Sequence, residues 1–182
     1  CGFFPVDDET LAAATRIVND VRREGEAAVR RYAELFGDRR AGEELVLGRD
    51  ALERALADQP AERRQLLERT AARIRGFAEA QRRSLHPVDF PIPGGRAVQE
   101  SAPVDSAGCY APGGRFPLPS SMLMTVVTAR VAGVSEVWAA SPKPDDVTLA
   151  AAAIAGGSSR PIANRTVNIR TGKPSDRKIM PE

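Results

Sequence analysis

The fold class is decided by residues 104–142, VDSAGCYAPGGRFPLPSSMLMTVVTARVAGVSEVWAASP. This stretch predicts a strand that ends at Tyr110, a turn rich in proline and glycine, a helix, and a second strand over residues 136–141. A strand, a helix and a strand in this order form the unit from which α/β proteins build nucleotide and cofactor sites. The stretch therefore predicts an α/β protein.

The turn and the start of the helix in this stretch suggest a ligand site. Pro112, Gly113 and Gly114 form a turn whose glycines allow positive φ and close approach of a ligand to the backbone. Pro119 suits the first turn of a helix, and Ser120 and Ser121 offer hydroxyls there. The free N–H groups at a helix N-terminus favour an anion such as phosphate or carboxylate.

Apolar residues at helical spacing predict five further helices. They span about residues 8–24, 29–36, 50–58, 60–85 and 147–155. Gly25 separates the first helix from the second, and Gly37 is a natural C-cap for the second. Asp50 with Glu53 resembles a capping box at the start of the third. Asp145 or Asp146 can cap the final helix. Because the first four of these helices carry no chemically suggestive cluster, we interpret them as scaffold.

Between the long helix and the strand ending at Tyr110, residues 86–97 form a proline-rich connector that ends in a Gly94-Gly95 turn. Short strands are predicted over residues 96–101 and 105–110, with a possible hairpin across 102–104. These elements predict that the whole chain has three segments. They are an N-terminal helical segment (1–92), an incomplete Rossmann-like unit with a parallel or mixed sheet (93–157), and a basic tail (158–182).

Composition excludes several classes of protein. Hydrophobic residues make up 42% of the 182, so the chain can form a core, and no apolar run reaches the roughly 20 residues that a bilayer requires. We therefore expect no membrane partner. Cys1 and Cys109 give no disulfide framework or zinc spacing, which favours a reducing cytoplasm. The chain begins without methionine, so we expect a missing true start rather than a signal peptide.

The net charge of +2 hides an asymmetry between the tail and the rest of the chain. Residues 158–182 carry six Lys/Arg and two Asp/Glu, a charge of +4, which leaves −2 for residues 1–157. The tail has no aromatic residue and no recognisable binding module. We therefore expect no nucleic-acid partner.

One long motif identifies a resemblance. Residues 108–144, GCYAPGGRFPLPSSMLMTVVTARVAGVSEVWAASPKP, resemble the signature region of the histidinol dehydrogenase family. Upstream, VNDVRREGEAAVRRYAELFGD (18–38) and RIRGFAEAQ (73–81) extend the resemblance, which covers roughly Val6 to Gly156. It implies an enzyme that oxidises a small amino alcohol to an amino acid in two NAD-dependent steps. It also implies a zinc ion and a homodimer of intertwined subunits.

The resemblance implies roles for particular residues. Tyr110 matches the family tyrosine that contacts NAD. The alternative interpretation is a half-buried aromatic residue at the edge of the sheet, without a role in binding. Pro112, Gly113 and Gly114 line the same cofactor or merely form a tight turn. Ser120 resembles the family serine near the substrate pocket, and helix capping is its alternative.

Three other residues receive plainer interpretations. Arg115 either pairs with a phosphate or faces solvent, which is the simpler reading. Cys109 is expected to be a small strand residue, since nothing nearby in the sequence would clearly lower its pKa. His86 is expected to be an exposed imidazole in a Leu-His-Pro connector.

The catalytic residues of the family have no counterpart in this chain. The resemblance places the zinc ligands (Gln, Asp and two His) and a Glu-His acid/base pair beyond Gly156, whereas this chain has one histidine. We therefore expect no catalytic residue and no metal ligand here, and no activity from the chain as given. Residues 158–182 do not match the family's continuation. We expect a frameshift or misjoined sequence in preference to a truncated paralogue.

The functional expectation is histidinol dehydrogenase, present as its N-terminal part, which oxidises L-histidinol to L-histidine in histidine biosynthesis. Two alternatives stay open. One is a related enzyme that oxidises another small alcohol, such as a sulfonated diol, towards which MTVVTAR (124–130) leans slightly. The other is a non-catalytic binding or dimerisation remnant.

Overall fold

A computed structural model describes residues 7–113 and 117–156 of the chain. This part contains six α-helices and four β-strands. The helices are α1 (Asp8–Glu24), α2 (Glu26–Leu35), α3 (Arg49–Ala57), α4 (Ala61–Arg83), α5 (Pro119–Val131) and α6 (Asp146–Gly156). The strands are β1 (Val88–Ile92), β2 (Gly95–Gln99), β3 (Ser106–Tyr110) and β4 (Glu136–Ala140). The described chain divides into two compact units at residues 43 and 44.

The first unit is a pair of helices, α1 and α2. Asp7 caps α1, because its carboxylate accepts a hydrogen bond from the Thr10 N–H at 2.8 Å. Gly25 has φ +62° and separates the helices, a backbone conformation that favours glycine. The predicted helix over 8–24 and its interruption at Gly25 are both present.

The second unit is built around β3 and β4. These strands pair in parallel with Ser106 opposite Glu136 and Tyr110 opposite Ala140. Helix α5 makes the connection between them, and α4 and α6 pack against α5. The core holds mainly small and branched apolar side chains. Its fully buried members include Leu123, Val126, Val127, Val137, Ala150, Ala151 and Ala152.

A β-hairpin replaces the predicted connector. β1 and β2 pair antiparallel from Val88 opposite Gln99 to Ile92 opposite Gly95, around a two-residue Pro93-Gly94 turn. Gly94 has φ +82°, and a proline followed by such a glycine is the signature of a type II turn. The predicted hairpin across residues 102–104 is wrong, because β3 pairs with β4 through the α5 crossover.

One prediction about a helix start also needs correction. Helix α3 begins after Gly48, which is its N-cap, and Asp50 already lies inside the helix, so the capping box at Asp50 is wrong. Helix α4 ends at Arg83, close to the predicted end at about residue 85. The sequence predicts that Asp145 or Asp146 caps α6, and the structure shows that Asp145 does so. Its carboxylate accepts a hydrogen bond from the Thr148 N–H at 2.8 Å.

The described elements confirm the predicted α/β class, with a helical N-terminal region before an incomplete Rossmann-like unit. The division into residues 1–92, 93–157 and 158–182 stays a prediction. Residues 157–182 lie outside the described residues. Among the described helices, none is both long enough and apolar enough to cross a bilayer.

Candidate functional site

The candidate site lies at the carboxyl end of β3, where Tyr110 is the last residue of the strand. Its side chain is 61% exposed. Because successive strand residues point to opposite faces, Tyr110 shares a face with Gly108, and parallel pairing adds Trp138 and Ala140 of β4. The face is exposed at Tyr110 and Gly108 and partly exposed at Trp138 and Ala140.

The opposite face of the two strands belongs to the core. Cys109, Val137 and Ala139 are buried there, with helix α5 packed against both strands. Parallel sheets are normally covered on both faces. In the described part of this unit only one face is covered, and Tyr110 lies on the other.

The turn after Tyr110 is fixed by backbone hydrogen bonds on both sides. The Ala111 N–H donates to the Ala140 carbonyl at 2.9 Å, which extends the parallel ladder beyond the strand. The Leu118 N–H donates to the Pro112 carbonyl at 3.3 Å. The predicted turn at Pro112, Gly113 and Gly114 stays a prediction, because Gly114 and Arg115 lie outside the described residues.

Gly113 makes the tightest contact in this region. A β-carbon at this position would lie 1.9 Å from the Pro142 carbonyl oxygen and 3.0 Å from Ser141 Oγ. Only glycine allows the turn after β3 to lie against the segment after β4. The Ser141 hydroxyl is buried and has no hydrogen-bond partner among the described residues.

Helix α5 begins without a side-chain cap. Pro119 is its first residue and Leu118 is its N-cap, whose backbone carbonyl accepts from the Ser121 N–H at 3.0 Å. Ser120 is exposed and lies inside the first turn. The alternative reading of Ser120 as a helix cap is therefore wrong, and its predicted role near a substrate stays a prediction.

Cys109 is buried below the Tyr110 face. Burial raises the pKa of its thiol, and a hydrogen bond with Thr125 and the positive charge of Arg130 oppose that rise. The thiol is the less reactive, protonated form at neutral pH. Cys109 is therefore a strand residue, as predicted, and the structure buries it in the core.

No metal-binding group emerges from the described residues: they contain no cluster of three His, Cys, Asp or Glu side chains. His86 lies in the exposed segment between α4 and β1, as predicted. An exposed phenol beside a backbone-lined turn can contact a flat ring and donate a hydrogen bond. Proton transfer from an alcohol needs in addition a positioned base.

Trp138 is the site-face residue that sequence reasoning missed. It shares the face with Tyr110 only because β3 and β4 pair in parallel with Gly108 opposite Trp138. The available signal was the alternation in EVWAA, in which Val137 and Ala139 face the core and Trp138 does not. That alternation becomes informative once the register of the two strands is known.

Comparisons with known proteins agree on one family. The model of the family described as histidinol dehydrogenase matches residues 6–159. A histidinol dehydrogenase of Burkholderia pseudomallei is 38% identical over 159 residues, which cover 82% of this chain and 36% of the relative. One of Haloarcula marismortui is 43% identical over 143 residues, which cover 77% of this chain and 33% of the relative. The chain thus spans about a third of these relatives.

A solved structure shares the fold. The crystal structure of histidinol dehydrogenase from Elizabethkingia anophelis superposes with a TM-score of 0.72 at 22% identity, over 89% of this chain and 38% of that chain. At this identity the match supports the architecture alone. It agrees with an incomplete Rossmann-like unit in the described part of the chain.

Proposed function

The chain belongs to the histidinol dehydrogenase family, and from this we propose that it forms the N-terminal part of an NAD-dependent enzyme of histidine biosynthesis in the cytoplasm. The proposed reaction is the two-step oxidation of L-histidinol to L-histidine. The observation that carries the proposal is the exposed Tyr110 at the carboxyl end of a parallel strand, followed by a backbone turn in the family's signature sequence. In α/β sheets ligands bind at this end of the strands.

The contribution proposed for this part of the chain is binding and orientation. NAD, when bound, accepts hydride from the alcohol carbon. The Tyr110 ring would contact the cofactor, and its hydroxyl can donate a hydrogen bond. Pro112, Gly113 and Gly114 would line the cofactor with backbone, which needs no side chain at Gly113. The exposure of Tyr110 and Gly108 on this face, among the described residues, supports binding of a cofactor there.

The substrate proposal concerns the first turn of α5. Ser120 is exposed there and has no capping role, so its hydroxyl is available for a small amino alcohol. The family resemblance supports this role. A homodimer of such chains is part of the same proposal.

The zinc chemistry of the family does not fit the residues at hand. One histidine is present in the whole sequence, and it lies in an exposed loop. One imidazole cannot serve both as a base and as two metal ligands. We therefore propose that this chain alone does not turn over substrate.

That single histidine also favours a second candidate, a non-catalytic protein that keeps the cofactor-binding half. Both candidates predict binding of NAD at Tyr110, and they differ in whether a catalytic half accompanies the chain. The first experiment therefore tests the binding of NAD at Tyr110, which both candidates require.

The test is a titration of the chain with NAD. Binding is monitored by the fluorescence of Trp138, the one tryptophan in the sequence. Because Trp138 lies on the Tyr110 face, a bound nicotinamide or adenine ring should change its emission. We expect Tyr110→Ala to weaken binding at least about tenfold, the loss of one aromatic contact with a hydrogen bond. Tyr110→Phe should fall between it and the unchanged chain.

The matched control is Tyr32→Phe, because Tyr32 is the only other tyrosine and lies in the first unit. It should leave the titration unchanged. Equal binding by the unchanged chain and Tyr110→Ala would remove Tyr110 from the site. Absence of any NAD-dependent change in the unchanged chain would refute cofactor binding by this part of the protein.

A further inference from the structure

The loop after β4 follows the second strand of the Rossmann-like unit. β3, α5 and β4 form a strand, a helix and a parallel strand in chain order. In units of this kind the pyrophosphate of a dinucleotide lies at the turn after the first strand, and the adenosine ribose lies at the end of the second. Residues 141–145, SPKPD, occupy this second position. Their charges therefore bear on which dinucleotide the site binds.

This loop lies against the segment that is proposed to line the cofactor. The Pro142 carbonyl oxygen is 1.9 Å from the place where a β-carbon of Gly113 would stand, so the two backbones are in contact. The Ala111 N–H donates to the Ala140 carbonyl at 2.9 Å and joins the chain at the ends of both strands. Lys143 follows Pro142 directly. A ligand that lies on the segment after β3 is therefore near the backbone of Lys143.

The backbone of Lys143 has an unusual conformation. Its φ is +43°, and no other non-glycine residue in the described part of the chain has a positive φ. Prolines on both sides, Pro142 and Pro144, restrict the neighbouring dihedral angles. The path of the loop is therefore well defined, while the Lys143 side chain is exposed and its four-carbon stem can adjust to a ligand.

The charge of Lys143 is free, whereas the carboxylates next to it belong to α6. Lys143 forms no ion pair with a described residue. The Asp145 carboxylate accepts the Thr148 N–H at 2.8 Å and caps the helix. Asp146 lies in the first turn of α6, where the helix dipole favours a carboxylate. The loop thus presents a cation at the position where an NAD-specific unit carries a free carboxylate.

We propose that Lys143 binds the adenosine ribose end of the dinucleotide, with its ammonium paired to a 2′-phosphate, so that the site takes NADP at least as tightly as NAD. A free carboxylate there would hydrogen-bond the ribose and repel this phosphate. A lysine ammonium gives the phosphate a charged partner instead. The inference rests on the cofactor site of the proposed function and assigns its specificity.

The test is a pair of titrations of the chain, one with NAD and one with NADP, each monitored by the fluorescence of Trp138 at the same ionic strength. We expect the unchanged chain to bind NADP at least as tightly as NAD. Lys143→Gln should weaken NADP binding at least about tenfold and NAD binding less than about twofold, because only NADP carries the extra phosphate. Lys143→Arg should retain NADP binding, since it keeps the charge.

The matched control is Arg69→Gln, because Arg69 is an exposed cation of α4 in the same unit. It should leave both dissociation constants unchanged, which separates a local contact from the effect of net charge. Circular dichroism checks that each variant keeps its fold.

The failure of this inference is distinguishable from the failure of the cofactor site. Binding of NAD without binding of NADP by the unchanged chain would overturn the specificity assigned to Lys143 and leave the cofactor site standing. Equal losses of NAD and NADP binding in Lys143→Gln, or no loss of either, would also overturn it. Absence of binding by both dinucleotides would overturn the inference together with the cofactor site.

Discussion

Gly113 holds the turn after β3 against the segment after β4. The Pro142 carbonyl oxygen lies where a side chain would begin, and that oxygen belongs to the backbone, which cannot move aside alone. The sequence marked Gly113 as a turn residue with a possible cofactor role. Its packing against Pro142 came from the structure, because residues 29 positions apart meet only when the two strands pair.

We expect Gly113→Ala to destabilise the protein by about 1–3 kcal/mol, the usual cost of forcing an extra methyl group into a packed site. Urea unfolding followed by circular dichroism measures it. Gly108→Ala is the matched control, because Gly108 lies in β3, close in sequence to Gly113, and nothing lies within 4 Å of a β-carbon there. It should change stability by less than about 0.5 kcal/mol. Equal effects of the two substitutions would contradict the tight contact.

At the scale of elements, α1 and α2 are joined by a polar network. The Tyr32 hydroxyl donates to Asp20 at 2.7 Å, Arg23 pairs with Asp20 at 2.6 Å, and Arg31 pairs with Glu24. The hydrogen bond from Tyr32, followed by the arginine charges, lowers the pKa of Asp20. Hydrogen bonds from Arg31 and Arg23 lower the pKa of Glu24.

These lowered pKa values predict acid sensitivity. A carboxylate whose pKa is lower in the folded state stabilises the fold fully above its unfolded pKa, about 4 for Asp and Glu. That contribution is lost as the pH falls through the lower, folded value. We expect Asp20→Asn to reduce the stability of the protein at pH 6. Between pH 6 and pH 3 the variant should lose less stability than the unchanged chain.

Urea midpoints at the two pH values measure this effect. Asp38→Asn is the control, because Asp38 follows α2 and its carboxylate takes no part in the network. Added salt should reduce the difference between the unchanged chain and Asp20→Asn, since the groups are near the surface. The same pH dependence in both variants would show that Asp20 does not contribute.

At the scale of the whole molecule, the matched part of the chain covers only 36% and 33% of the length of the two histidinol dehydrogenase relatives. The described residues supply the exposed tyrosine, the turn and the start of α5. Among these residues no group of three or more His, Cys, Asp or Glu could hold a metal ion.

We expect no reduction of NAD by the purified chain with histidinol, with or without added zinc, because one histidine cannot supply the base and the ligands. The absorbance of reduced cofactor measures it, and the Burkholderia pseudomallei relative is the positive control. Turnover above background by the purified chain would contradict this reading of the sequence.

The sequence alone determined the α/β class, most helices and the position of the candidate site, because these follow from local periodicity and from turn residues such as Pro112 and Gly113. It predicted a strand close to β2 but missed β1, because a segment with several prolines is typical of a connector. Only the tertiary structure decided that β3 pairs with β4, that Trp138 shares a face with Tyr110, and that Gly113 lies against Pro142. These are contacts between distant residues, and they form only when the α5 crossover buries its apolar side chains against the sheet.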